Sequence, residues 1–543
     1  IAGFEAEPDT LKGRADFRIA LPLNLDHVPK FADLPISLTG TISDLAVEGL
    51  IGKEKLEGAA LAVAYDKGAL AIKGEGRIGG SPATIEVRQA KDAGEASLAF
   101  TFDDAARARK GLTFGSQLTG PLLMRVNLPL GRNAKPGTRV EADLSRAAVD
   151  GLIPGWQKPA GRPGKLTLTL LDGGDKGSDI RDLQLDAGTV QVRGTAHLAA
   201  DGGLDRADLA TFKLSPGDDM RAQLERTGSV YKVTIRGNTG DARPFTRSFN
   251  ASPAPAGRGP AAPKDRDQKD VDLDLALNIL TGHNDEAITN ASVKASLRRD
   301  ALRQLDVKGR IGSSNIMAQT VVRGGNPLIV MQAEDAGATL RFLDIYRRMV
   351  GGDLVLQLNS GDGPQTGFVT LSAFSLRNEP ALRRIIPTQS QVISGRDKAG
   401  NQQNVRIDVN EVAFTRARVD FTRLAGRLDF KDAAIYGQAI GFTLGGFIDY
   451  ARDRVDIEGT FVPAFGLNNA FAQVPLFGPL LGGGRNEGLF AVNFRIAGQA
   501  TQPTLSVNPL SAVAPGFLRK LFGAGGGEAP AGSVYIPPEN GSN

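Results

Sequence analysis

The side chains from which catalytic sites are built are sparse and scattered along this chain of 543 residues. Cysteine is absent, which removes thiolate nucleophiles, thiolate metal ligands and disulfides together. That absence suits a cytosolic protein and a bacterial periplasmic one alike. The three histidines, His27, His197 and His283, fall on different strand repeats, and no two have the spacing of metal ligands. With the usual N and S ligands so scarce, no metal is expected. Asp172, Asp175 and Asp179 form an acidic loop whose spacing is not that of an EF-hand, so it reads as a solvated turn. No Gly-x-Ser-x-Gly elbow occurs. The carboxylates alternate with apolar residues, as on the wet face of a sheet, and none stands out as a general acid and base pair.

Two glycine-rich segments raise the question of phosphate binding. Gly74-Glu75-Gly76-Arg77-Ile78-Gly79 matches G-x-G-x-x-G. A dinucleotide site needs a helix directly after the last glycine, so that its N-terminus holds the pyrophosphate. Ser81-Pro82 and another alternating strand follow instead, which makes the segment a hairpin. Gly482-Gly483-Gly484-Arg485 lacks the Lys-Ser/Thr of a phosphate loop and reads as a flexible turn. No catalytic residue, cofactor site or metal site is therefore assigned, and the chain is expected not to be an enzyme.

The elements that would have to position any site are strands. Apolar and polar residues alternate at Leu166, Leu168 and Leu170, at Tyr231, Val233 and Ile235, and at Val271, Leu273, Leu275, Leu277 and Ile279. The same period recurs at Val405, Ile407 and Val409, and at Val492, Phe494 and Ile496. Each segment reads as an antiparallel strand with one apolar and one wet face. Gly, Asp and Asn clusters divide them, as hairpins require. Short helices are expected at 103–110, at 338–350 before Gly351-Gly352, at 378–386 before Pro387, and at 514–522. A weak internal repeat pairs Leu70–Val87 with Leu305–Val321, each a strand, a Gly-Arg-Ile-Gly hairpin and a second strand.

Composition narrows the class. Hydrophobic residues make up 41% and charged residues 23%, so the chain folds. There are 64 basic against 60 acidic residues, a near balance that does not call for a nucleic-acid partner. The aromatics are 25 Phe, 6 Tyr and 1 Trp, unlike the Tyr and Trp girdles of a transmembrane barrel. No run of about 18 apolar residues is present, so no membrane-spanning helix is expected within the chain. It begins at Ile1 with no visible signal peptide, and reads as a piece of something longer whose anchor lies upstream.

A sandwich would bury the apolar faces against a second sheet. Sandwich domains show aromatic anchors and repeat at about 100 residues, whereas here one Trp serves the whole chain. The expected fold is mainly β: an elongated, twisted, open antiparallel β-groove with a few short helices. The divisions read as a module at 1–135 with the helix near 103–110, a module at 136–250, and a Pro/Gly/charged linker or long loop at 251–270. A groove region at 271–525 and a disordered tail at 526–543 follow. About 30 strands at about 4.8 Å spacing would make a trough of about 140 Å. The expected lining residues are Leu166, Leu168, Val233, Ile235, Leu273, Leu275, Leu277, Val405, Ile407, Val409, Val492 and Phe494. Leu476, Phe477 and Leu480, with Phe517, Leu518, Leu521 and Phe522, are expected at the groove end or against a membrane surface.

The C-terminal third carries an ordered series: Gly445-Gly446-Phe447-Ile448-Asp449-Tyr450, Asp456-Ile457-Glu458-Gly459-Thr460-Phe461-Val462-Pro463, Leu467-Asn468-Asn469 and Val474-Pro475-Leu476-Phe477-Gly478-Pro479-Leu480-Leu481. It runs on through Glu487-Gly488-Leu489, Val507-Asn508-Pro509-Leu510-Ser511 and Ala514-Pro515-Gly516. This series resembles the C-terminal region of the AsmA-like family. Leu343-Asp344-Ile345-Tyr346, Asn378-Glu379-Pro380, Leu118-Thr119-Gly120-Pro121 and Gly155-Trp156-Gln157-Lys158-Pro159 resemble its YhdP-type branch. The resemblance implies a Gram-negative envelope protein, anchored upstream in the inner membrane, whose periplasmic β-groove moves phospholipids toward the outer membrane. Its partners would be phospholipids, the membranes at either end and other envelope proteins. The rival readings are a periplasmic scaffold for outer-membrane protein assembly and an envelope polysaccharide enzyme.

Overall fold

The structure is a computed structural model that describes residues 12–21, 36–51, 54–90, 93–109, 115–131, 136–153, 155–250, 270–298, 301–359, 364–385, 392–396, 402–406, 408–424, 426–437, 440–463, 492–500 and 502–508. It is mainly β, with four short helices among the described residues. By internal contacts the chain forms two compact units, the first holding the described residues of 12–250, 270–329 and 341–345, the second those of 330–340 and 346–508.

In the first unit, strands follow one another as a meander. They run Lys12–Ala20, Ser37–Ile51, Glu54–Asp66, Ala69–Ile78, Ser81–Ala90, Ala93–Phe102, Leu122–Leu130, Thr138–Asp143 and Gly164–Asp172. Ser178–Ala187, Val190–Leu198, Leu204–Lys213, Asp219–Thr227 and Val230–Asp241 continue it, each antiparallel to the last. Asp270–Thr281 then breaks the rule and pairs in parallel with Val230–Asp241 along nearly its whole length. The sequence pattern predicts antiparallel pairing throughout. A tight turn can only reverse a chain, but the connection through residues 242–269 is long enough to return it to its starting end. That pairing also puts Asp270–Thr281, Ala287–Arg298, Ala301–Ile311 and Ser314–Arg323 in the first unit, so the division does not fall at residues 251–270.

Paired residues share a face, so register shows which side chains line up. One row runs Ile42, Leu61, Gly74, Ile85, Leu98, Val126, Val140, Leu168 across consecutive strands. A second runs Leu209, Ala222, Ile235, Leu275, Val293, Val307, Ala318, straight through the parallel pair. The opposite face carries Thr84, Ala99, Arg125, Glu141, Thr167, Gln184, Arg193, Thr211.

The Gly-Arg-Ile-Gly repeat acquires a physical meaning here. Ile78 and Ile311 end their strands buried, and Gly79 and Gly312 make the turns at φ of 53° and 57°. Gly76 and Gly309 clear space for a neighbour: a Cβ there would sit 2.9 Å from Ala59 Cβ or 2.3 Å from Ile288 Cγ2. The hairpin reading of Gly74–Gly79 therefore holds.

Small elements pack at one end of the strands. Helix α1 (Asp104–Arg109) is capped by Asp103, whose Oδ1 accepts the Ala106 N–H at 2.8 Å. A three-stranded sheet of Leu118–Thr119, Ala148–Asp150 and Gln157–Lys158 puts Leu118, Val149 and Trp156 against Ala142, Ala187, Val190 and Val192. Lys158, 3% exposed, pins it, donating to the carbonyls of Leu144 at 2.8 Å, Ala147 at 2.7 Å and Pro159 at 3.4 Å. Helix α2 (Arg243–Asn250) lies beside it, with Pro244 against Gly155.

Nearby, Asp218 is buried and its Oδ2 accepts the N–H groups of Leu214 and Ser215, both at 2.8 Å. Burial, helped by the charge of Asp241, raises its pKa above the ordinary aspartate range. A raised carboxyl means the folded state binds the proton more tightly than the unfolded one. Its contribution to stability is therefore present below the ordinary aspartate pKa and is lost as pH rises through the folded one. Asp218→Asn keeps an acceptor and drops the charge. It should raise the urea midpoint at pH 7 and flatten the dependence of stability on pH between pH 4 and 7. An unchanged midpoint at pH 7 would refute this.

In the second unit, Met349–Asn359, Gln365–Arg377, Glu411–Leu424, Arg427–Tyr436, Ile440–Asp449, Arg454–Pro463, Val492–Gln499 and Gln502–Asn508 pair antiparallel in chain order. Their apolar row reads Leu354, Leu371, Ala417, Ile435, Phe442, Phe461, Val492. Helix α3 (Ala336–Phe342) begins in this unit and ends with Arg341 and Phe342 in the first, and α4 (Pro380–Ile385) accompanies the strands. The helix expected over 338–350 stops early. Asp344 takes a φ of 55°, and Met349 and Val350 are already strand, paired with Leu376 and Ser375.

Candidate functional site: the apolar face

The residues expected to line a groove meet on one face in the first unit. Val233, Leu273 and Ala295 are register partners in one row, and Ile235, Leu275 and Val293 in the next. Leu166 pairs with Ala142 and Leu185, and Leu168 with Val140. Leu166, Leu168, Val233, Ile235, Leu273 and Leu275 are all half-buried. Exposure varies from position to position along the strands: Leu277 is 3% exposed and Ile279, two residues on, 39%, while Tyr231 is 8%, Ile19 65% and Val322 73% exposed. Among the described residues no second large sheet faces this surface, since the remaining strands form only the three-stranded sheet and a two-stranded one. A β-sandwich needs two sheets, so these residues do not build one.

Phe494 lies on the corresponding face of the second unit, buried against Phe442, and Val492 is the register partner of Phe461. Val405 is a correction. It sits in a separate hairpin, Val392–Arg396 with Gln402–Arg406, paired to Ile393. Val409 lies in a turn, because the next sheet strand begins only at Glu411. The alternation there is real but too short to join the main sheet. Ile407, together with Leu476, Phe477, Leu480, Phe517, Leu518, Leu521, Phe522 and the helix expected over 514–522, lies outside the described residues.

One cluster escaped the pattern reading. Phe374, Phe414, Phe442, Phe461 and Phe494 form a contiguous aromatic core, with ring centroids 5.2 Å apart for Phe374–Phe414 and Phe442–Phe461. Phe414–Phe442 and Phe442–Phe494 follow at 6.2 Å. The signal was present as phenylalanines at alternate strand positions beside glycine, as at Gly441-Phe442 and Gly459-Thr460-Phe461.

The polar face is laced with ion pairs. Glu141 lies between Lys165 at 3.0 Å and Arg139 at 3.1 Å, and its pKa is held down chiefly by the Lys165 hydrogen bond. Arg298 at 2.7 Å does the same for Asp272. These shifts keep carboxylates ionised in cross-strand pairs, the reverse of what a general acid requires. A cleft of 1320 Å³ lies beside Arg125, Glu141, Lys158, Lys165 and Asp186 on this side. Its charges are mixed, with Glu141 paired to Lys165 and Arg139, Asp186 paired to Arg193, and Lys158 bonded to backbone carbonyls, and such a lining disfavours an acyl chain there.

Thr246, His283 and Asp344 stand in nucleophile–base–acid order, with Thr246 Oγ1 2.9 Å from His283 Nε2. His283 Nδ1 is 3.9 Å from Asp344 Oδ2, beyond hydrogen-bond reach. The Thr246 hydroxyl also donates to its own helix at Arg243 O, 3.2 Å away. The trio holds α2 against the turn at His283 instead. Among the described residues no group of three His, Asp or Glu side chains is placed to hold a metal. Compared with known proteins, the chain matches no family model, no curated protein and no solved structure.

Proposed function

We propose that this chain carries phospholipid acyl chains along its apolar face, as a passive bridge between membranes in a Gram-negative periplasm, and that it performs no catalysis. The observation that supports this reading is the register: strand after strand places apolar side chains in line, half-buried at Leu209, Ile235, Leu275, Val293 and Val307 and buried at Ala222 and Ala318, with polar residues behind them. An apolar surface of more than a few hundred Å² calls for a ligand. A methylene moved from water onto it gains about 0.8 kcal/mol when fully buried. Headgroups would stay in water at the open border of the apolar face. Movement along such a floor needs no nucleotide, so direction would come from partners or gradients.

Mass spectrometry of lipids copurifying with the chain tests the reading. A photo-crosslinking residue at Leu275 should give phospholipid adducts, and one at Thr234 on the polar face should not. Leu275→Asp should lose lipid binding locally while circular dichroism stays unchanged. Protein that copurifies with no phospholipid, and takes none up after delipidation, would defeat the proposal. Normal envelope function of Leu275→Asp would favour an assembly scaffold, and cleavage of glycan by the purified chain an enzyme.

A further inference from the structure

Within the second unit, the apolar rows are not equally open. The row Leu356, Val369, Val419, Ala433, Leu444, Gly459, Phe494 crosses successive strands in register. Leu356, Val369, Val419 and Leu444 are half-buried aliphatic positions like those of the first unit. At Gly459 the row changes character. A Cβ there would sit 2.4 Å from Phe494 Cζ and 2.8 Å from its Cε1, so the Phe494 ring lies across the space that the glycine leaves. The ring stands at 78° to that of Phe442, an edge-to-face contact, and is 7% exposed. Phe442 in turn leans on Phe461 and Phe414. Such pairs add about 0.5–1.5 kcal/mol each beyond the area they bury, so the ring is fixed by its neighbours and offers a ligand almost no surface.

We propose that Phe494 is a specificity-determining residue that blocks this row and limits how far an acyl chain extends along it. The inference rests on the acyl-carrying reading above. From the strand of Leu356 to that of Gly459 the row covers five inter-strand steps of about 4.8 Å, or about 24 Å, the reach of one long acyl chain. The aliphatic positions before the block supply adaptable contact, and the braced ring supplies a hard stop.

The test uses the full chain loaded with phospholipid bearing a diazirine at the acyl terminus, with adducts mapped by peptide mass spectrometry. The wild type should give adducts on the strands between Met349 and Asp449 and none on Gln502–Asn508. Phe494→Ala should shift adducts onto Gln502–Asn508 and admit longer chains. Phe494→Leu fills more of the site without a rigid ring and should give an intermediate distribution, which keeps the test informative if the alanine variant unfolds. Wild-type adducts already on Gln502–Asn508, or an unchanged map in folded Phe494→Leu and Phe494→Ala, would overturn the block while leaving acyl binding intact. Absence of adducts on every strand of the wild type would overturn the carrying function itself, and the block with it.

Discussion

Phe442→Ala is expected to lower the stability of the second unit by about 3–5 kcal/mol, the usual loss for a fully buried phenylalanine. Phe442 is 6% exposed and touches the rings of Phe414, Phe461 and Phe494, so its removal leaves a cavity among side chains that cannot all collapse inward. The informative comparison is Leu275→Ala in the first unit. Leu275 occupies the same kind of register position but is half-buried. It loses transfer energy with little cavity, so its cost should be about 1 kcal/mol. Urea unfolding followed by circular dichroism measures both. Equal costs would mean that the aliphatic rows are core and not a lining, and would count against the proposed function.

The second large effect is expected at Lys158. Lys158→Met preserves the length of the side chain but strands the buried carbonyls of Leu144 and Ala147 without their ammonium donor. The Leu144 carbonyl keeps the Ala147 N–H at 3.0 Å, so the loss falls chiefly on the Ala147 carbonyl. A buried group left unsatisfied costs about 1–3 kcal/mol, and a loss of about that size is expected, concentrated in the three-stranded sheet. The molecule carries its own reporter. Trp156 is the single tryptophan of the chain, is 4% exposed, and sits in that small sheet's core. Its emission should shift to the red at denaturant concentrations where wild-type emission is unchanged, and amide exchange at 148–158 should accelerate while strand 270–281 stays protected. Uniform loss across both segments would show that the small sheet is integral to the large one.

Much of the strand architecture is legible in the sequence, because alternation with period two depends on nearest neighbours and survives in any sheet. The hairpins at Gly79 and Gly312 are legible for the same reason, since φ above zero is a local demand that glycine meets. What escapes is set by distance. Parallel pairing of Val230–Asp241 with Asp270–Thr281 leaves no mark on either strand, because both orientations ask for the same alternation. Val405 has the right period but ends in a two-stranded hairpin, since membership of a sheet is decided by the partner. The helix over 336–342 is called by its apolar spacing, yet its end is set by Asp344 and by Met349 pairing with Leu376, which local spacing does not encode. The lining candidates in the first unit came out together because they share strand parity. The phenylalanine core required knowing which strands adjoin.

The meander of the first unit also has a mechanical consequence. Each strand bonds chiefly to the next in chain order, with its first described strand, Lys12–Ala20, at one border. Tension applied along the chain therefore runs across the strands, in line with their hydrogen bonds. In that direction a ladder peels open bond by bond, whereas sliding strands past one another would load many bonds at once. The unit should yield to pulling one hairpin at a time and zip closed again from the hairpin still formed. The unit could thus lengthen by small steps without surrendering its whole fold.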